Sequence, residues 1–546
     1  MNNSQITLHL SERPVMKWTH HERVHVCGYA FLDEVRLEGR AFAEQVGRYA
    51  GQQQWDTLLQ KMNGFFAIVY HDENQLFAAT DRIRSIPLFY AENEGRVYLS
   101  DRAEWIRSEC GFTTMDHCSS AEYLVTGFVT GGNTLFPELH QLKAGTYLQA
   151  GHSVRDNDRH FKTNRYFEFL RDSINRDTEA QKIEQLHATH RSVFERLVET
   201  LEGRRAVIPL SGGFDSRLIA VMLEEIGYDN IQYISYGKPG NWESRISKEI
   251  AEHFDRPWFF IPESRTSWYD WFHSPERREY AAYSEQLSSY AHIQDFPVVW
   301  QLKKNSLVPD DSVFIPGHSG GLMSGSHVPS RFLSRSSVSG ELLLNHILKK
   351  NYSGWNWQKS DVNYREPFRN KIDSLIDLPD HTSPNDAADR YENWIWQERQ
   401  AKYIVPSVMV YEFWGYEWRI PLWDNDMMAF WLHISADERQ GRALYKKYIE
   451  KKLKLPVIEA NSPKLAKAWN RFNTFANPQY GRFNGNRSLL KALSIRVGDI
   501  ANLDKIPFDF IPHWRPIQFQ KMTSLCSLRY LDEIRSRTDS DIAPFE

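Results

Sequence analysis

Short apolar runs broken by turn residues dominate the first 150 positions. His25–Tyr29, Gly64–Tyr70, Gln75–Ala79, Pro87–Tyr90 and Arg96–Ser100 are rich in branched and aromatic residues at strand length. Ala67–Tyr70 and Gln75–Ala79 flank His-Asp-Glu-Asn, whose Asp and Asn side chains close turns on their own backbone, and this predicts a hairpin. Gly151–Asn164 is polar and aperiodic, and is the predicted linker. Beyond it the period changes. Ile183, Leu186, Val193, Leu197 and Leu201 recur at helical spacing within Thr178–Glu202. A strand (Ala206–Leu210), a helix (Ser216–Ile226), a strand (Ile231–Tyr236), a helix (Glu243–Phe254) and a strand (Trp258–Ile261) are then expected, with a further strand at Val313–Pro316. Strands alternating with helices of this length imply a doubly wound parallel sheet with right-handed crossovers, an α/β domain following a β-rich one. From Thr266 onward the chain leans to helix and is rich in Trp and Tyr.

Composition narrows the class. The 546 residues carry a net charge of −4, and mean hydropathy is −0.56. No global basic field points to nucleic acid, and apolar runs such as Gly64–Tyr70 are far too short to cross a bilayer. The first residues show neither a basic region nor an apolar core of a secretory signal. Cys27, Cys110, Cys118 and Cys526 lack CxxC spacing, which excludes a disulfide scaffold or zinc ribbon and fits a reducing, cytoplasmic setting. Charge is uneven, however. From Gly441 onward there are 19 Lys and Arg against 10 Asp and Glu. Such a region is either an ordinary basic surface or a contact for an anionic or membrane-surface partner.

The chemistry concentrates in Leu210-Ser211-Gly212-Gly213-Phe214-Asp215-Ser216, where a strand turns directly into a helix. Two glycines permit a sharp turn and close approach of a ligand. Ser211 and Ser216 add hydroxyl donors, and the helix adds unpaired N–H groups and its positive end. Together they make an anion site suited to phosphate. Asp215 would repel phosphate in such a cradle unless it holds a Mg²⁺ that bridges the phosphates. A bare Ser-Gly-Gly would be only a helix start. The full hexapeptide after a strand is more specific, and it has neither Walker A nor GxGxxG spacing.

SGGxDS is the signature of the PP-loop ATP pyrophosphatases, and the surroundings resemble the asparagine synthetase family. Tyr233–Gly237, Glu243 and Ser247–His253 look like its second strand and helix. Arg419-Ile-Pro-Leu-Trp-Asp424, with Gly415 and Glu417, is similar to its G-x-E-x-R-x-P-[FL]-x-D segment, and Lys446-Lys447-Tyr448-Ile449 to its lysine-bearing helix. At the front, Asn63–Tyr70, Asp81-Arg82, Ile86–Tyr90 and Leu135–Tyr147 look like its class II glutaminase domain. The resemblance implies an Ntn-hydrolase-like domain over residues 1–155 and an ATP pyrophosphatase domain over 175–546. It implies ATP and Mg²⁺ as cofactors, with Asp215 on the metal. Ser235, Tyr236, Gly237, Pro316 and Gly317 would flank the adenosine, and Lys447, or else Lys446, would stabilise developing negative charge.

Two departures stand out. Position 2 is Asn2, where class II glutaminases carry a nucleophilic cysteine, and Cys27 falls inside a predicted strand as a buried small hydrophobe. Glutamine hydrolysis is therefore not expected, and the amine donor is free ammonia or another molecule's amine. After the strand Val313–Pro316 the family's G-E-G-S-D-E reads Gly317-His318-Ser319-Gly320-Gly321-Leu322. His318, with an ordinary value near neutrality, would serve as base for the amine or as a structural hydrogen-bonder. The expected function is an ATP-dependent amide-forming ligase acting on a small or sugar-linked carboxylate, such as a surface-polysaccharide uronate. A lasso-type macrolactam synthetase and a non-catalytic binding protein remain alternatives, and a homodimer is compatible with either.

Overall fold

Hydrophobic residues that fall on both faces of one strand explain why the front third lacks clean alternation. In the computed structural model, residues 6–72, 75–151, 161–354, 357, 363–453 and 530–536 are described. The strands are β1 (Ile6–His9), β2 (Thr19–His21), β3 (Val24–Leu32), β4 (Val35–Glu38), β5 (Asn63–His71), β6 (Gln75–Thr80), β7 (Phe89–Asn93), β8 (Arg96–Ser100), β9 (Leu139–Gln141), β10 (Thr146–Gly151) and β11 (Lys162–Arg165). One sheet has the order β11-β10-β6-β5-β3-β2, with β4 also on β3; the other has the order β1-β8-β7-β9. The expected hairpin is present as β5 and β6, with Tyr70 opposite Phe77. Val24, Val26, Ala30 and Leu32 pack against helices α1 (Gly39–Gly51) and α2 (Trp55–Lys61), whose Phe42, Val46, Leu58 and Leu59 share that core. The other face of β3 places Cys27 against Ile86, Leu88 and Leu99 between the two sheets. Tyr29 and Phe31 on that face reach the second domain's core.

The predicted linker is corrected in part. Gly151 ends β10, and Lys162–Asn164 belong to β11, which pairs with β10, so both ends of that segment are sheet. Residues 152–160 lie outside the described residues.

The second half forms a sheet of β12 (Ala206–Pro209), β13 (Ile231–Gly237), β14 (Trp258–Pro262), β15 (Val313–Phe314) and β16 (Glu417–Trp418), in the order β14-β13-β12-β15-β16. Every pairing in it is parallel. Helix α3 (Glu179–Leu201) precedes it, begun by a capping box between Thr178 and Gln181. Helices α4 (Phe214–Ile226) and α5 (Trp242–His253) make the first two crossovers. The strand expected at Val313–Pro316 is shorter, and α4 starts at Phe214, two residues earlier than expected. Among the described residues no helix is long and apolar enough to cross a membrane.

The halves share one hydrophobic core and are stitched by a buried ion pair, Arg13 with Glu412, and by hydrogen bonds from charged and amide side chains. Arg13 donates to Glu412 at 2.5 Å, and Glu412 also accepts from Tyr283 at 2.8 Å and Trp418 at 3.2 Å. Lys402 meets Glu398 at 2.6 Å and donates to the carbonyls of Val129 and Gly131. Arg196 spans Asp424 and Asp426, while Asn63 donates to Asp424 at 3.1 Å. Such pairs cost desolvation, so removing one partner is worse than removing both. We expect Glu412→Ala to destabilise the protein by about 3–5 kcal/mol in chemical denaturation, and Arg13→Met/Glu412→Leu by clearly less. A double variant as unstable as the single would contradict that account.

Candidate functional site

The turn after β12 is held by its own side chains. Leu210 extends the sheet by donating to Ile234 O at 2.8 Å. Ser211 N donates to Ser216 Oγ at 3.0 Å, the two hydroxyls lie 3.1 Å apart, and Gly213 N donates to Ser211 Oγ at 3.2 Å. Arg217, one turn into α4, donates to the carbonyls of Gly212 and Gly213, both at 3.1 Å. The carbonyls are thus tied back toward the helix, and its first turn starts at Gly213 with no side-chain cap. Uncapped N–H groups at a helix start favour an anion.

Strand order explains what faces this turn. The chain leaves β12 toward β13 on one side and returns as β15 on the other, so the carboxyl ends of β12 and β15 border a topological switch point. A Cβ on Gly317 would stand 2.8 Å from Ser216 N, and one on Gly320 would stand 2.7 Å from Asp215 Oδ1. The close approach of backbone to backbone therefore requires glycine at 317, whereas at 320 a Cβ would press on the Asp215 and Leu422 side chains. Gly212 lies beneath the half-exposed Trp242, whose ring would sit 2.3 Å from an added Cβ. Ser235, at the end of β13, is 5% exposed, and its Oγ has no partner among the described residues. A buried hydroxyl in that state is expensive unless something else binds it. The structure thus brings Ser211–Ser216, Ser235 and Pro316–Gly317 to the two sides of the same switch point.

Other expected residues are placed differently. Tyr236 turns its hydroxyl to Asp295 at 2.5 Å, and Asp295 also accepts from Tyr411 at 2.9 Å. Burial, reinforced by that carboxylate, holds both phenols well above their ordinary value. Lys446 and Lys447 are exposed, and Lys447 pairs with Glu179 at 2.5 Å beside Lys451. The cation paired with the loop's carboxylate is Arg442. Its Nη2 is ion-paired with Asp215 Oδ1, its Nε donates to Ser324 Oγ at 2.9 Å, and its guanidinium lies 4.6 Å from the Tyr445 ring centre. Sequence reading missed Arg442 because it was counted only within a basic stretch; its neighbour Gly441 was the available signal for a break before the helix.

No group of three or more His, Cys, Asp or Glu suited to a metal is found among the described residues, and the one carboxylate at the loop already has a guanidinium partner. The donor set does not fit a resident ion there. Arg419 is a buried tie, donating to Glu417 at 2.8 Å and to Thr200 Oγ1 at 3.0 Å. Cys27 donates its thiol to Met16 O at 2.7 Å, and burial pushes it up to about 12, too high for a nucleophile. Asn2 lies outside the described residues.

His318 approaches Ser407 Oγ at 3.4 Å through Nε2, while Nδ1 is buried without a partner among the described residues. Burial, with His292 adding and Asp295 opposing, lowers it from 6.5 to about 4. It is therefore neutral near pH 7 and a weaker base than an exposed histidine, which corrects the near-neutral value expected. Because the folded value is depressed, unfolding takes up a proton between those limits, and the stability tied to neutral His318 is lost as pH falls from 6.5 to about 4. We expect His318→Gln to gain on the unsubstituted protein across that window, by at most about 1.4 kcal/mol per pH unit. Parallel stability curves for the two proteins would contradict this.

Comparison with known proteins addresses the front of the chain. A model described as the glutamine amidotransferase domain matches residues 47–166. No curated protein matches. Among solved structures, the allosteric regulatory enzyme of purine biosynthesis is 11% identical over 46% of this chain and 63% of its own, with a TM-score of 0.20. Glutamine phosphoribosylpyrophosphate amidotransferase from B. subtilis, complexed with ADP and GMP, is 10% identical over 55% of this chain and 64% of its own, with a TM-score of 0.19. The chain thus spans just under two thirds of the length of those structures. By the family model's match, the front of the chain carries a domain of the glutamine amidotransferase type over residues 47–166.

Proposed function

We propose that the protein is an ATP-dependent amide-forming ligase of the asparagine synthetase type, whose amidotransferase-like domain has become a scaffold. The observation that carries this reading is the Ser211–Ser216 turn at the switch point, faced by Gly317, with the orphaned hydroxyl of Ser235 on the adjacent strand. The motif, the helix start and the strand order support a nucleotide's polyphosphate as the ligand. ATP enters as a substrate with whatever cation accompanies it, and no step is assigned to an ion held by Asp215.

In this reading the uncapped start of α4 and the hydroxyls of Ser211 and Ser216 bind the phosphates, and Ser235 and Gly317 border the nucleoside. A substrate carboxylate oxygen attacks the α-phosphorus and pyrophosphate leaves. The amine nitrogen then attacks the acyl carbon, AMP leaves, and the nitrogen gives up a proton. The acid we favour is a sugar uronate joined to ammonia or an amino acid, in the cytoplasm. Against glutamine as donor stands the Cys27 thiol, buried between two sheets. A second reading, a nucleotide-binding protein without catalysis, is favoured by Gly321 and Leu322 in place of acidic residues.

Incubation with ATP, Mg²⁺ and a panel of uronates and amino acids should give acid-dependent exchange of labelled pyrophosphate into ATP. Ser216→Ala should lower that exchange about tenfold or more. Glutamine should release no glutamate above background. Nucleotide binding with no exchange for any acid would favour the second reading, and absence of nucleotide binding would overturn both.

A further inference from the structure

We infer that Arg442, rather than a lysine or a carboxylate-held metal, is the cation this protein presents to the nucleotide's terminal phosphates, and that its ion pair with Asp215 is the resting form of that contact. The inference rests on the proposed nucleotide reading of the Ser211–Ser216 turn.

Charge supplies the first reason. Asp215 sits in the first turn of α4, where a triphosphate tail would meet it, and an unpaired carboxylate there would repel the ligand. Among the described residues Arg442 is the ion-pair partner found for Asp215. Neutralising Asp215 removes the repulsion, and releasing the guanidinium to phosphate would turn the contact into an attraction.

Geometry supplies the second. Gly441 and Arg442 both have left-handed backbone, with φ of 62° and 66°, immediately before the helix Ala443–Tyr448. A non-glycine residue held there is disfavoured and persists only where its surroundings enforce it. Here that break aims the side chain back across the start of α4. The fork is then held by Ser324 Oγ at 2.9 Å and by the rings of Tyr445 and Phe214, whose centres lie 4.6 and 5.5 Å from the guanidinium carbon. Nη2 and Nε are engaged, while no partner for Nη1 is found among the described residues. A planar fork with a spare donor suits a phosphate oxygen better than an ammonium does. Ser324 lies on the segment that begins at Gly317, so one guanidinium spans both sides of the switch point.

The test is equilibrium binding of ATP and of AMP to the full chain, with Mg²⁺ and with EDTA. Unsubstituted protein should bind ATP more tightly than AMP. Arg442→Ala should lose about tenfold to a hundredfold in ATP affinity while AMP affinity changes little, because AMP lacks the phosphates that Arg442 would reach. Arg442→Lys should fall between. Asp215→Asn, which frees the guanidinium, should bind ATP at least as tightly as the unsubstituted protein. Equal losses for ATP and AMP in Arg442→Ala would make the residue a structural tie and overturn the inference. So would a loss of ATP affinity in Asp215→Asn that appears only with Mg²⁺, which would return that carboxylate to a metal. If Arg442→Ala does not fold, Arg442→Lys and Asp215→Asn decide the matter on the same two criteria. Failure of the unsubstituted protein to bind either nucleotide would instead refute the function proposed above.

Discussion

The backbone of Gly317 lies against the first turn of α4 so closely that a single methyl group would not fit between them. That contact follows from sheet order. β12 lies between β13 and β15, and with parallel pairing throughout all three strands end at the same edge. Helices leaving those ends diverge, while the turns that precede them converge. Glycine at 212, 317 and 320 lets the turns converge without steric conflict, and everything else at the site is arranged around that crevice.

The electrostatics of the crevice are sparse. One carboxylate and one guanidinium meet across it, and the acidic residues that would assemble a metal site are absent from the segment after β15. The histidine that stands there instead is desolvated and uncharged near neutrality. A site of this kind has little charge of its own with which to organise a ligand, so backbone N–H groups and hydroxyls carry most of the recognition in the function proposed. The orphaned Ser235 hydroxyl fits that description, since a buried donor without a partner is tolerated where a ligand completes it.

The amidotransferase-type domain is bound to the rest by more than surface contact. The buried ion pair of Arg13 with Glu412, and the hydrogen bonds from Lys402 to the carbonyls of Val129 and Gly131, sit within a hydrophobic core shared by both halves. Desolvated pairs of this kind add little net stability but strongly disfavour misalignment, since any shift leaves a charge unmatched. Cys27 is sealed between its two sheets, and in the function proposed the domain braces its neighbour.

Much of this was legible in the chain. The β5–β6 hairpin, α3 with its capping box, and the β12-turn-α4 unit follow from local chemistry: side chains that close turns, a helical apolar period, and glycines where backbone must bend. The strand–helix alternation likewise implied a parallel sheet. Less legible were elements without an apolar run, such as β11, or paired with distant partners, such as β1, which lies along β8. The site divides in the same way. Ser211, Gly212, Gly213 and Ser216 announce themselves because their roles are local. Arg442 and Asp295 do not, since a charged residue's role depends on which partner folding brings to it, and those partners lie 227 positions away for Arg442 and 116 for the Tyr411–Asp295 contact. Lys447 shows the converse: a motif position suggested a catalytic role, yet its partner is Glu179. Local backbone preference is written in neighbouring residues, whereas the pairing of charges is decided only when the sheet and its crossovers set distant segments side by side.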